Sequence, residues 1–176
     1  MDRSRMPFSF ALSAVVLGLA FAPRIYAQDV PPEMKVLEKR LGNWEGTMSA
    51  KPAVFTPDGG KLKGDEKVEL VLKGRFIQGK TVNDDQTEAT WLATYDVNMK
   101  AYRFWFYNSR GHTDESTGQW NEKSKTMTWM RTNPEGITSI AHWRFVDANT
   151  LEWDMIAKDK DGKVYLDLTG KMTRKK

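Results

Sequence analysis

The chain has 176 residues, a formal net charge of +4 and no cysteine. Without cysteine, disulfides, thiolate nucleophiles and zinc–thiolate sites are excluded, so a folded domain must rely on its packed core. Asp2, Arg3, Arg5 and Arg24 together contribute +2, which leaves only +2 on the rest of the chain. That charge is too small to indicate nucleic-acid binding, and no nucleic-acid partner is predicted.

The N-terminus has the pattern of a secretory signal peptide. A basic start precedes an apolar run at 8–22, and Ala27 offers a small residue at a cleavage point. The run is shorter than the roughly 20 residues that a membrane-spanning helix needs, which favours cleavage over an uncleaved anchor. We therefore predict a signal peptide at 1–27 and one exported domain at 28–176, periplasmic or secreted, with no membrane span after cleavage.

A short helical pattern is followed by a long series of strands. Prolines suit a helix start, and Met34, Leu37 and Leu41 fall on one face, which predicts a helix over 31–40. Turn residues then separate ten runs of strand composition, at 41–50, 65–73, 75–83, 89–96, 101–108, 113–121, 125–131, 137–146, 150–158 and 164–173. No second helical pattern is long enough for a crossover, so the sequence predicts an all-β, up-and-down antiparallel barrel of about ten strands.

The last turn sets the register of the final hairpin. Asp161-Gly162 predicts a two-residue type I′ turn, which places Lys160 opposite Lys163. In this register, Trp153 faces Gly170, Met155 faces Leu168 and Ala157 faces Leu166, while Glu152 meets Lys171 on the other face. Apolar residues thus meet apolar residues on one face of the hairpin.

The preceding turn fixes the neighbouring pair of strands. Residues 147–149 predict a three-residue loop with Asn149 in the left-handed region. The loop sets Trp143 against Trp153, Phe145 against Leu151 and Ala141 against Met155, with Arg144–Glu152 and His142–Asp154 on the outside. Both hairpins bury the same face of strand 150–158, and a one-residue slip would reverse every side chain.

These registers predict an inward-facing apolar set. Strand 125–131 adds Met127 and Trp129, with Gly118 opposite Trp129. A ten-stranded barrel is wider than the eight-stranded size at which side chains nearly fill the interior. A cavity for a flat or aliphatic apolar molecule is therefore one interpretation, and a filled core is the other. The predicted ligand-binding residues are Trp129, Ala141, Trp143, Trp153, Met155 and Leu168.

Strands 89–96 and 101–108 leave two alternatives open. Either Trp91 faces inward with Phe104 and Phe106, or Leu92 does so with Trp105.

Short phrases along the chain resemble a bacterial family, that of domain of unknown function 1579. They are Leu41-Gly42-Asn43-Trp44-Glu45-Gly46-Thr47, Gly74-Arg75-Phe76-Ile77, Tyr95-Asp96 and Met172-Thr173-Arg174-Lys175. Where that family often has Gly-Tyr-Asp, this chain has Thr94-Tyr95-Asp96. The resemblance covers nearly the whole mature chain and implies a calycin-like β-barrel, but no established reaction.

The opening phrase is also similar to the barrels of lipocalins and nitrobindins. In that superfamily a first-strand tryptophan commonly packs against an arginine of the last strand, and Trp44 and Arg174 are the matching positions. The resemblance therefore implies a structural latch at one end of the barrel. Strand parity agrees, since Arg174 alternates in step with Leu168 and Gly170 and so points inward. An arginine over an indole gains ~0.5–2 kcal/mol of cation–π energy.

The same resemblance makes haem the one cofactor to weigh, because nitrobindin-like barrels bind haem through a histidine. His142 faces Asp154 on the outer surface in the predicted register. His112 follows a turn at a barrel mouth, where a solvated loop histidine is favoured over a haem ligand. We predict no haem or other cofactor, and no metal site.

Catalytic motifs are absent from the sequence. It has no Gly-x-Ser-x-Gly elbow, no His-Glu-x-x-His and no cysteine nucleophile, so no catalytic residue is predicted. The favoured function is an exported protein that binds a small hydrophobic molecule inside its barrel. The alternatives are a filled barrel acting as an interaction or stability module, and an unrecognised enzyme. For an enzyme, Arg75, Arg103 and Arg131 are the arginines best placed to face inward.

Overall fold

A short helix and ten antiparallel strands make up residues 29–176, the part of the chain that the computed structural model describes. The elements are α1 (Met34–Glu38), β1 (Gly42–Ala50), β2 (Gly60–Val71), β3 (Phe76–Asn83), β4 (Glu88–Asp96), β5 (Ala101–Asn108), β6 (Thr113–Asn121), β7 (Thr126–Thr132), β8 (Thr138–Phe145), β9 (Thr150–Lys158) and β10 (Val164–Arg174). The predicted all-β, ten-stranded fold with a short N-terminal helix is confirmed. The predicted signal peptide at 1–27 lies outside the described residues.

Two element boundaries differ most from the prediction. The α-helix covers only half of 31–40, because the residues on either side of it form turns with hydrogen bonds from residue i to residue i−3. Examples are Met34 N–H to the Pro31 carbonyl (3.0 Å) and Arg40 N–H to the Leu37 carbonyl (2.9 Å). β2 begins five residues before the predicted 65, directly after the left-handed Gly59. Its early residues pair with the end of β1, so partners across the sheet override their weak strand propensity.

The sheet closes on itself into a barrel. Each strand pairs with the next one along the chain, and β1 pairs with β10, with Trp44 opposite Arg174 and Met48 opposite Gly170. Closure satisfies the backbone hydrogen bonds of what would otherwise be two edge strands. The up-and-down topology predicted from the lack of a crossover helix is confirmed.

The register of the final hairpin is confirmed along most of its length, but its turn is not the predicted one. Trp153 faces Gly170 and Met155 faces Leu168, yet Lys158 pairs with Val164, so the loop spans five residues and Lys160 does not pair with Lys163. A register shift between Val164 and Leu166 restores the predicted pairs. The Asp159 carboxylate causes the longer loop, because it accepts backbone N–H bonds from Asp161 and Lys163, both at 3.0 Å.

The β8–β9 hairpin has the predicted pairs, including Trp143 with Trp153 and Phe145 with Leu151. The predicted left-handed conformation of Asn149 is wrong, because Asn149 is not among the non-glycine residues with positive φ in the described chain. The Asp147 side chain instead accepts the Asn149 N–H at 2.7 Å and holds the loop as an Asx turn.

The open alternative in β4 and β5 is resolved in favour of the first set. Trp91 is buried and pairs with Phe106, and Phe104 lies on the same inner face. Leu92 and Trp105 pair with each other on the outer face. Aromatic residues occupy both faces of β5, so the alternation of its sequence does not show which face is inward.

Helix α1 closes one end of the barrel. Met34 and Leu37 are fully buried, and the helix packs against β3 and β4. The Tyr102 hydroxyl donates to the Glu33 carbonyl at 3.2 Å, and Trp44 Nε1 donates to the Arg40 carbonyl at 2.7 Å. These contacts fix the helix and the segment after it across the barrel end, which is called the closed end below.

Candidate functional site

The other half of the barrel is hollow. A cavity of about 430 Å³ occupies it, and its lining extends from the middle of the barrel to the loops at the end opposite α1, called the mouth below. All six residues predicted to bind a ligand line this cavity: Trp129, Ala141, Trp143, Trp153, Met155 and Leu168. The structure thus brings the predicted set together around one empty space, while their role in binding stays a prediction.

Glycines on neighbouring strands make room for the large rings of the cavity wall. A Cβ at Gly118 would overlap the Trp129 ring, and a Cβ at Gly170 would overlap the Trp153 ring. Both pairs were predicted from register, and both are observed. Each indole therefore lies flat across its glycine, which widens the interior instead of filling it.

Four aromatic side chains form a cluster at the inner part of the cavity. Trp129 and Trp143 have ring centroids 5.1 Å apart, and Phe104 lies 5.1 Å from Trp129. Trp91 lies 5.4 Å from Trp143. Tilted and edge-to-face contacts at these distances are favourable, so the rings of this apolar wall stabilise one another.

A buried ion pair forms the floor of the cavity, between this cluster and the closed end. Arg40 Nη2 donates to Glu66 Oε1, and the two side chains are only 3% and 8% exposed. The Arg40 guanidinium also lies 5.1 Å from the Trp44 ring centroid and 5.3 Å from that of Trp143. Burial lowers the pKa of Arg40 from its usual value, Glu66 opposes this shift, and the charge of Arg174 adds to it.

In the floor, the Glu66 carboxylate accepts several hydrogen bonds, whereas some buried donors have no acceptor in the described part of the chain. Glu66 Oε2 accepts from Thr81 Oγ1 at 3.3 Å and from Trp91 Nε1 at 3.4 Å, in addition to the Arg40 bond at Oε1. Arg40 Nε, Arg40 Nη1 and Trp129 Nε1 are buried and find no hydrogen-bond partner within residues 29–176. Buried donors without an acceptor are costly, so these atoms mark the floor as a place with unmet hydrogen-bonding demand.

Sequence reasoning missed both members of this pair. Arg40 is the last residue of the predicted helix, where a basic residue is ordinary and gives no signal of burial. Glu66 gave a usable signal, since it shares the inward parity of Val68 in β2. A carboxylate on an inward face needs a buried cation nearby, but the sequence did not indicate which one.

Polar side chains surround the mouth of the cavity. Asn83, Thr87, Asn108, Arg110, His112 and Asp114 contribute to the lining there. His112 lies 6.2 Å from the Phe106 ring centroid, and Arg110 forms an ion pair with Asp85 at 2.6 Å. The mouth is therefore a polar rim above an apolar interior, with Arg110 and His112 exposed to solvent.

The three arginines predicted to face inward in an enzyme lie in three different parts of the barrel. Arg131 pairs with Asp114, a carboxylate of the mouth. The inward placement of Arg103 is wrong, because Phe104 and Phe106 take the inner face of β5 and leave Arg103 outside, paired with Glu115 and stacked over Trp105. Arg75 donates to the Asp29 carbonyl at 2.7 Å, near the closed end. They do not form a common site.

The proposed latch residues meet at the closed end. The Arg174 guanidinium lies 4.2 Å from the centroid of the Trp44 ring, which is fully buried. Arg174 also donates to the carbonyls of Lys39 (3.0 Å), Ala148 (3.1 Å) and Leu41. It therefore ties the last strand to the segment between α1 and β1.

His142 lies in a surface ion pair, and the described residues offer no cluster of metal ligands. His142 Nδ1 lies 2.8 Å from Asp154 Oδ2 in the predicted cross-strand pair. Across residues 29–176, no group of three or more His, Asp or Glu side chains is arranged to hold a metal ion. No helix in this range is long and apolar enough to cross a membrane.

A closed antiparallel barrel with one plugged end and one hollow end defines the class of this protein as a calycin-like barrel. The chain belongs to the family described as protein of unknown function DUF1579, whose model matches residues 31–174. A comparison with curated proteins gave no match.

Solved structures show the same fold at low sequence identity. Rv2717c from M. tuberculosis is 14% identical with a TM-score of 0.62, and the match covers 84% of this chain and 100% of that one. The S-type phycobiliprotein lyase CPES from Guillardia theta is 12% identical with a TM-score of 0.53, covering 81% of this chain and 92% of that one. At these identities the similarity concerns the fold alone.

Proposed function

We propose that this protein is an exported binding protein that holds a small apolar molecule inside its barrel. The observation that carries the proposal is the cavity of about 430 Å³, reached from a polar mouth and walled by aromatic and aliphatic side chains. Its volume lies in the range of small-molecule sites. Protein interiors are otherwise close-packed, so a hollow half-barrel is not what stability alone would select.

The two alternatives have less support. A filled barrel acting as a stability module would need packed inward positions along its whole length, and the empty half weighs against that. An enzyme would need reactive groups that converge inside the cavity. The arginines near the mouth are paired with carboxylates, Arg131 with Asp114 and Arg110 with Asp85. The lyase among the structural neighbours shares only the fold.

Binding is tested most directly with the cavity tryptophans as reporters. The purified mature protein is titrated with fatty acids, retinoids and haem, and tryptophan emission is recorded beside native mass spectrometry of the protein as isolated. We expect saturable emission changes with apolar ligands, because Trp129, Trp143 and Trp153 line the cavity. No emission change with any of them, and no co-purified molecule, would contradict the proposal.

A cavity-filling variant locates the binding site. Ala141 faces Trp129 on one neighbouring strand and Met155 on the other, so Ala141→Phe projects a ring into the empty space. Ala148→Phe is the matched control, since Ala148 is exposed in the β8–β9 loop at the closed end, away from the cavity. We expect Ala141→Phe to lose binding about tenfold or more while both variants stay folded. Equal affinity in the two variants would place the ligand outside the barrel.

Export is a separate part of the proposal, supported by the N-terminal sequence pattern. The full chain is expressed in a Gram-negative host, and the mass of the accumulated protein is measured in the periplasmic fraction. We expect a mature N-terminus at Gln28, whereas an intact N-terminus in the cytoplasmic fraction would contradict export.

A further inference from the structure

The cavity floor has several donors without a partner in the described residues, whereas its carboxylate already accepts three hydrogen bonds. Both oxygens of Glu66 already accept hydrogen bonds, whereas Arg40 Nε, Arg40 Nη1 and Trp129 Nε1 have no partner in the described part of the chain. Arg40 and Trp129 both line the cavity. The three donor atoms are themselves covered, so a ligand bonds to them only by displacing the side chains around them. It gains from doing so only if its inner end accepts hydrogen bonds.

The Arg40–Glu66 pair is neutral as a pair, and Arg174 is a further positive charge that acts on Arg40 from the closed end. An arginine stays protonated in proteins, and the Arg40 cation is neutralised by the Glu66 anion, both nearly inaccessible to water. A ligand carboxylate placed beside them would bring a second anion to one buried cation, and Arg174 is already bonded to the carbonyls of Lys39, Leu41 and Ala148, so burying that anion is unfavourable. A ligand ammonium would add a second positive charge beside Arg40, where the Glu66 carboxylate already accepts three hydrogen bonds.

The surroundings of the floor restrict the rest of the molecule. The guanidinium lies 5.6 Å from the Trp91 ring centroid and 5.3 Å from that of Trp143, so aromatic faces border the inner end of the cavity. Beyond them, Met155 and Leu168 line the way to the mouth. An apolar body fits this path, with its single polar group at the inner end.

We infer that the ligand carries an uncharged hydrogen-bond acceptor, such as a ketone, ester or amide carbonyl, at the end that meets Arg40 and Trp129. The carbonyl accepts from the spare donors without disturbing the charge balance of the Arg40–Glu66 pair. This inference rests on the proposed function and assigns the chemical class of its ligand.

A set of ten-carbon probes tests the preference in the wild-type protein. Affinities for 2-decanone, decanoate and decylammonium are measured at neutral pH by tryptophan emission and isothermal titration calorimetry, with the mature protein. We expect 2-decanone to bind about tenfold more tightly than either ion, the size of effect that one charge-assisted hydrogen bond supplies. Equal affinities for the three probes would overturn the inference while leaving the proposed function intact. Binding of no probe at all would contradict the proposed function itself.

Glu66→Gln tests the charge balance directly. The variant leaves the Arg40 cation uncompensated but keeps an amide oxygen for its hydrogen bond, so decanoate becomes the partner that restores neutrality. We expect the ketone-to-carboxylate preference to reverse. An unchanged preference in a folded Glu66→Gln protein would overturn the inference.

Glu115→Gln is the matched control. Arg103 also pairs with a glutamate, lies 5.3 Å from the Trp105 ring centroid and has a buried Nε without a partner in the described chain, but it is on the outside of the barrel. We expect this variant to keep the wild-type preference, and a reversal here as well would show a non-specific charge effect and overturn the inference.

Trp129→Phe provides a second measurement that does not alter the ion pair. It keeps an aromatic ring in the cavity wall and removes the spare Nε1 donor. We expect the affinity for 2-decanone to fall about threefold to tenfold, with little change for an alkane of equal length. An equal fall for both probes would assign the loss to packing and overturn the role of the donor.

Discussion

The two ends of the barrel share the same ten strands of the described chain, but their inward positions are filled differently. At the closed end the helix adds a layer of side chains, and the inward residues there are large and fully buried: Met34, Leu37, Trp44, Ile77, Met127 and Leu151. Toward the mouth the inward residues include small ones, among them Gly46, Ala89, Ser116, Ser139 and Ala141, and an empty cavity remains. The closed end thus supplies a core, and the mouth end supplies space.

Barrel width explains why the helix is needed. Ten strands enclose more room than side chains alone can fill, so a hollow barrel needs a plug at one end to bury enough apolar surface. Helix α1 and the latch between Trp44 and Arg174 form this plug. The Arg40–Glu66 pair lies at the boundary between the filled and the hollow half, which makes it both the roof of the core and the floor of the cavity.

The largest expected effect comes from truncating a tryptophan at each end. Trp44→Ala should lower the free energy of unfolding by ~3–5 kcal/mol, because it removes a fully buried ring and the stacking surface of Arg40 and Arg174. Trp153→Ala should cost about 1–2 kcal/mol, since its ring is partly exposed and borders empty space, so fewer contacts are lost. Guanidinium chloride unfolding of both variants measures the difference.

Equal losses for the two tryptophan variants would break the comparison between the ends. A near-neutral Trp44→Ala would remove the latch argument in particular. A loss at Trp153 as large as at Trp44 would show that the mouth end contributes a core of its own.

A smaller loss is expected from breaking the ion pair at the boundary. Arg40→Met keeps an apolar stem of similar length but leaves Glu66 buried without its cation, so stability at neutral pH should fall by about 3 kcal/mol. The double variant Arg40→Met with Glu66→Met should recover most of this loss, because it removes both charges together. Urea unfolding of the two variants beside the wild type gives the comparison. A double variant as unstable as the single one would mean that Arg40 acts through its stacking on the tryptophans instead of its charge.

Local sequence patterns predicted the strands and most of the register of the last two hairpins. Turn residues fix hairpin registers over a few positions, and inward alternation then follows along each strand, as it does for Trp143, Trp153 and Gly170. Two turns differ from the prediction because an aspartate side chain in each loop accepts backbone N–H groups. The carboxylates of Asp159 and Asp147 bind backbone N–H groups and reshape their turns, which a two-residue or left-handed turn pattern does not include.

The candidate site was only half predictable for a different reason. The apolar wall follows from strand parity, so its six residues could be grouped in advance. Whether they enclose a void depends on the volumes of all inward residues together, which no single strand reveals. The floor joins Arg40 to Glu66 across 26 positions in the chain, a pairing set by how the helix end enters the barrel and not by any local pattern.

The smallest expected effect is at Tyr102, whose ionisation tests whether water is excluded from the closed end. Burial raises the pKa of the Tyr102 phenol to about 12, with smaller contributions from Glu33 and Tyr95. The folded state therefore holds this proton more tightly than the unfolded state, whose tyrosines titrate near pH ~10. The stability that results is fully present below the unfolded pKa and is lost as the pH rises through the folded pKa.

Alkaline unfolding of the wild type and Tyr102→Phe measures this contribution. The variant loses the hydrogen bond to the Glu33 carbonyl, which lowers its stability by the same amount at every pH below the unfolded pKa. Its stability should then fall less steeply than that of the wild type as the pH rises from about 10 to about 12, because the variant has no phenol to ionise there. The slope, and not the offset, is therefore the readout. Parallel curves through that range would mean that water reaches Tyr102 beneath the helix, and the contrast between a dry closed end and a wet mouth would not hold at this position.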